Sequence, residues 1–131
     1  MTTENNKIIA EFMGLNKTKM FFNLKSGNYV KKETDDCDIK VVDVYLKNNK
    51  PITNFYYHSD WNWLMEVVEK IESLGYWVEI LGGMHNVCSI GLTNNIESFI
   101  YLDSESKIEA VYNAVVEFIK WYNEQKSAKE N

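Results

Sequence analysis

His58, Ser59 and Asp60 stand side by side, just ahead of Trp61 and Trp63, in the stretch YHSDWNWL. These are the residue types of acyl transfer, in which a serine attacks, a histidine takes its proton and an aspartate orients the histidine. That chemistry needs the three groups to converge, with an oxyanion hole beside them. The side chains of three consecutive residues diverge instead. A serine or aspartate just before apolar residues at helical spacing is an N-cap, whose oxygen accepts a bond from a free backbone N–H. The triplet is therefore read as the start of a helix. No residue is assigned a catalytic role, and no enzymatic activity is expected.

The other reactive side chains are equally sparse. Cys37, Cys88, His58 and His85 fit no zinc framework beyond one His-x-x-Cys pair. The cysteines read as free thiols, and neither a metal nor a cofactor is expected. The run LGGMHN, with Gly82 and Gly83, lacks the spacing of a phosphate loop and reads as a hairpin turn. Asp35, Asp36 and Asp38 resemble part of a calcium loop without its glycine and distal glutamate. They read as a solvated loop or as an acidic contact surface for a basic partner. Four tryptophans and eight tyrosines are many for 131 residues. Trp61 falls on the apolar stripe of its helix, whereas Trp63 and Trp121 fall off theirs. Exposed Trp and Tyr are enriched where proteins meet. The interface candidates are therefore Asp35, Asp36, Asp38, Trp63 and Trp121.

The elements that must position these residues follow from periodicity. Ile8, Ile9, Phe12 and Met13 predict a helix over about 6–14, capped by Asn5 or Asn6 and ended by Gly14. Ser26-Gly27-Asn28 predicts a hairpin between two apolar runs. IKVVDVYL reads as a strand, KNNKP as a turn and ITNFYY as a partner strand. Trp61, Leu64, Met65, Val68, Ile71 and Leu74 predict a helix over 60–74. YWVEIL and VCSIGL flank the Gly82-Gly83 turn, and SFIYL is a further strand. Ile108, Val111, Tyr112, Val115, Val116, Ile119 and Tyr122 predict the longest helix over 104–124, capped by Asp103 or Ser104. A frayed tail is expected over about 124–131. Three helices and tightly turned strands imply an α+β fold in one domain, with a mainly antiparallel sheet.

Composition narrows the function. The chain carries 14 Lys and no Arg against 19 Asp and Glu, for a net charge of −5. Residues 1–60 hold +1 of this and residues 61–131 hold −6. An acidic half without arginine repels phosphate backbones, so tight direct nucleic-acid binding is not expected. No apolar run approaches the ~20 residues that span a bilayer. The opening MTTENNK is no signal peptide. The expected place is the bacterial cytoplasm, with no membrane partner; homo-oligomer formation stays open.

KIIAEFMG, YHSDWNWLMEVVEKIESLG and SKIEAVYNAVVEFIKWYN together resemble small phage and prophage proteins of the phage ABA-sandwich type. The resemblance covers the three helices and hardly touches residues 15–55. It implies helices on both faces of a sheet and brings no catalytic residues. It implies further a phage-encoded accessory protein that binds a host protein or nucleoprotein complex, with inhibitors of host defence such as anti-CRISPR proteins as one class. The alternative is a protein that sequesters a small ligand or nucleotide.

Overall fold

A computed structural model describes residues 2–30, 38–52 and 54–130. The elements run α1 (Thr2–Phe12), β1 (Asn16–Asn23), β2 (Asn28–Val30), β3 (Ile39–Lys47), β4 (Lys50–Ile52), α2 (Trp61–Ser73), β5 (Tyr76–Leu81), β6 (Asn86–Leu92), β7 (Ser98–Ser104) and α3 (Lys107–Glu130). The fold is α+β, with α3 the longest helix. Two antiparallel sheets form where the turn pattern predicted one. Turn residues fix which neighbouring strands fold back on each other, but not which hairpins then join. The chain packs as two compact units, Met1–Met13 with Phe55–Asn131, and Gly14–Asn54.

The smaller unit is a four-stranded sheet in the order β2-β1-β3-β4. Gly27, at φ 72°, turns β1 into β2 and sets Asn23 opposite Asn28. Asn23 Oδ1 holds the turn by accepting from the amides of Lys25 and Ser26. Asn48 and Asn49, at φ 54° and 64°, join β3 to β4. Positive φ at two successive residues is the signature of a type I′ hairpin, a conformation asparagine tolerates. β4 ends at Ile52, so ITNFYY gives no continuous strand. Residues 54–56 lie outside any strand.

The larger unit sets the three helices with the sheet β5-β6-β7. Its centre is α3, which packs on β6 and β7, while α1 and α2 pack against α3. Ala110, Val111, Ala114, Val115, Phe118 and Ile119 are fully buried. Two alanines let the backbones approach closely, which makes the buried face wider than a stripe of large residues alone. Cys88 and Ile90 of β6 and Leu64, Val67 and Ile71 of α2 fill the same core. Trp61 and Leu74 are 38% and 40% exposed, so the core stripe of α2 is shorter than the spacing suggested. Both stand at the ends of the helix, where the face runs past the core.

Asp60 is the N-cap of α2: its carboxylate accepts from the Asn62 amide at 2.8 Å. The cap of α3 is Ser106, not Asp103 or Ser104, since β7 runs through Ser104. Ser106 Oγ accepts from the Glu109 amide at 3.2 Å. The cap of α1 is likewise neither Asn5 nor Asn6, because the helix begins at Thr2. Buried Asn6 instead joins three elements. It contacts His58 Nδ1 at 3.0 Å through its amide nitrogen and accepts from the Tyr112 hydroxyl at 3.0 Å. At its other end α3 continues through the stretch expected to fray, to Glu130.

Candidate binding site

Trp121 lies near the C-terminal part of α3, one residue before Tyr122. Its ring rests on Phe99 of β7 at 4.6 Å between centroids, on Phe118 at 5.8 Å and on Tyr76 of β5 at 6.0 Å. Tyr122 stacks on Phe118 at 5.8 Å and meets Phe12 of α1 edge-on at 5.8 Å. Five elements, counting α2 through Lys70, thus bring their residues to one aromatic surface. Lys70 Nζ donates to the Phe12 carbonyl and stands 4.8 Å above the Phe12 ring. That pairing fixes the C-terminus of α1, where backbone carbonyls otherwise lack donors.

Three hollows run along this surface and share walls. The first, of about 320 Å³, is lined by Leu92, Asn95, Glu97, Ser98, Phe99 and Trp121. The second, of about 190 Å³, lies on the other side of Trp121, among Tyr76, Tyr122, Gln125, Lys126 and Lys129. The third, of about 320 Å³, lies beyond Tyr122 and Lys126, against Glu11, Phe12, Lys70, Leu74 and Asn123. Trp121 is the ridge between the first two, and Tyr122 with Lys126 the ridge between the last two. The loop wall of the first hollow is held in place. Asn95 Oδ1 accepts from the Glu97 amide at 2.9 Å, and the Asn95 carbonyl accepts from Trp77 Nε1 at 2.7 Å.

The electrostatics differ along the row. Glu97 lines the first hollow and Glu11 the third, while the second has lysines and no carboxylate. Among the described residues neither Lys126 nor Lys129 pairs with a carboxylate. Burial, and secondarily the nearby Tyr122, raises the pKa of the Tyr76 phenol above the ordinary value.

Of the remaining sequence candidates, Trp63 lines none of these three hollows. Trp63 is half-buried, meeting Tyr57 at 5.1 Å and Tyr56 at 5.5 Å. Helical side chains lean toward the N-terminus, so Trp63 reaches back over the segment before α2 instead of standing clear of the protein. Asp38 is half-buried in the smaller unit and pairs with Lys25 at 3.5 Å. Asp35 and Asp36, with Cys37, lie outside the described residues. Sequence reasoning singled out Trp121 but missed Tyr76, Phe99, Phe12 and the two lysines. Only the off-stripe position of Trp121 was a signal.

Among the described residues no group of three or more His, Cys, Asp or Glu is placed to hold a metal ion. His58 is tied to Asn6. Burial pushes the Cys88 thiol up to about 12, so this cysteine remains a thiol near neutrality. No helix among the described residues is long and apolar enough to cross a membrane. No protein-family model, no curated protein and no solved structure matches the chain.

Proposed function

We propose that the protein acts by binding another protein through the aromatic ridge of Trp121 and Tyr122. The observation that carries this reading is the row of three hollows with shared aromatic walls. A row of shallow depressions suits successive side chains of a partner segment. Aromatic residues that stand between such depressions are the type that dominates binding energy at interfaces. The hollows are open and hold about 190 to 320 Å³ each. Pockets that hold a small ligand enclose it and bury most of its surface, which these open hollows do not. Sequestration of a nucleotide or other small ligand is therefore the less supported reading.

The resemblance of the helices to phage ABA-sandwich proteins supplies the class of partner. On that basis the protein is a phage- or prophage-encoded accessory protein, and its partner is a host protein. A defence enzyme, CRISPR effectors included, is the partner class to test first. The test compares the parent with Trp121→Ala as baits in a host lysate, with thermal unfolding as a control for the fold. A host protein retained by the parent should bind the variant more weakly by about tenfold or more, as at an interface hot spot. Equal retention by a folded Trp121→Ala variant would remove the ridge from the interface.

A further inference from the structure

We infer that the partner segment seated on this ridge is acidic. It places an apolar side chain in the hollow between Leu92, Phe99 and Trp121, and an Asp or Glu carboxylate in the hollow of Tyr76, Tyr122, Lys126 and Lys129. This inference rests on the protein-binding reading above and specifies the partner's chemistry.

The lining residues set the two positions. Leu92, Phe99 and Trp121 give the first hollow an apolar wall. The second hollow offers donors: two ammonium groups, the Gln125 amide, two phenols and the edge of the Trp121 indole. A carboxylate, which only accepts hydrogen bonds when ionised, matches such a set. Among the described residues Lys126 and Lys129 have no carboxylate partner for an incoming one to displace. Glu97 keeps an acidic group out of the first hollow, which has no lysine in its lining. The middle hollow is lined by two lysines and no carboxylate, in a chain of net charge −5.

An RNA strand would bring anions and stackable bases to the same rings. It also spreads one phosphate per nucleotide along all three hollows, past Glu97, and no arginine is present to engage it. A peptide concentrates its charge at chosen side chains, so the peptide is favoured.

The test follows the Trp121 indole N–H resonance of the full chain, assigned by Trp121→Phe. The probes are a random Glu–Tyr copolymer, a random Lys–Tyr copolymer and poly(U). The Glu–Tyr copolymer should move the resonance. It should bind Lys126→Gln/Lys129→Gln about fivefold more weakly than the parent, in line with two exposed charge pairs. Added salt should weaken the parent's binding more than the variant's. Tighter or equal binding of the Lys–Tyr copolymer, with Trp121 still shifted, overturns the acidic inference and leaves the protein-binding reading standing. Tighter or equal binding of poly(U) overturns it in favour of RNA. Equal Glu–Tyr binding by parent and double variant, or no shift with any probe, also overturns it. The protein-binding reading is then decided separately by Trp121→Ala capture.

Discussion

Tyr57 has no exposed surface, and among the described residues its hydroxyl has no hydrogen-bond partner. Leaving a buried hydroxyl unpaired costs about 1–3 kcal/mol, because its contacts with water are lost and not replaced. Tyr57→Phe keeps the ring against Trp63 and removes that penalty. It should stabilise the protein by about 1 kcal/mol in urea unfolding. Burial, with the Glu66 charge as the lesser cause, pushes the Tyr57 phenol from 10.0 up to about 12. Burial alone moves the Cys88 thiol from 9.0 to about 12. In both cases the unfolded chain releases its proton at lower pH than the folded one. Stability is thus full below about pH 9 and falls as pH climbs toward 12. Cys88→Val should flatten the first part of that fall, and Tyr57→Phe the part above about pH 10. An unfolding series in urea across this range reads both. Asp60 was legible at this scale, since a cap is a local event decided by the next few residues. Asn6 was not. Its partners, His58 and Tyr112, are 52 and 106 positions away, and the local pattern pointed to a helix cap.

Two elements meet closely where β5 pairs with β6. Gly91 faces Trp77, and a Cβ added at Gly91 would come within 2.4 Å of the indole ring. The neighbour is a rigid ring whose N–H is already bonded to the Asn95 carbonyl at 2.7 Å. Gly91→Ala should therefore cost about 1–3 kcal/mol, as overpacking does. It should also shift the tryptophan emission; unchanged stability and emission would contradict the packing described. This glycine read in the sequence as an ordinary strand residue, because the ring above it comes from the opposing strand. Turns were far more legible. Gly27, Gly83 and Asn48-Asn49 take positive φ in the stretches that read as turns, since hairpin chemistry is settled within a few residues. Joining hairpins into sheets depends on distant strands, which explains why two sheets replaced one. The wide buried face of α3 was half legible. Its large residues showed a stripe, while Ala110 and Ala114 carry no hydrophobic signal strong enough to mark a core.

For the whole molecule, the candidate site is an assembly of distant parts. Trp121 stood out in the sequence only because it falls off the apolar stripe of its helix. Tyr76 and Phe99 reach it from β5 and β7, and Phe12 of α1 reaches the adjoining Tyr122; nothing in their local sequence announces a common destination. Lys126 and Lys129 lay in a stretch expected to fray, yet α3 carries them beside Tyr76 and Trp121. The acidic net charge concealed this cationic hollow, since totals do not report where charges collect. The central claim is that partners bind along the Trp121–Tyr122 ridge. The most direct measurement installs a photo-crosslinking residue at position 125, inside the middle hollow, and a second one at exposed Glu117 as control. Both proteins are irradiated in host cells and their adducts resolved by mass. The expected result is a discrete adduct from position 125, absent from position 117 and lost when Trp121→Ala is added. Adducts that form equally from both positions, or none at position 125 while position 117 gives one, would contradict the claim.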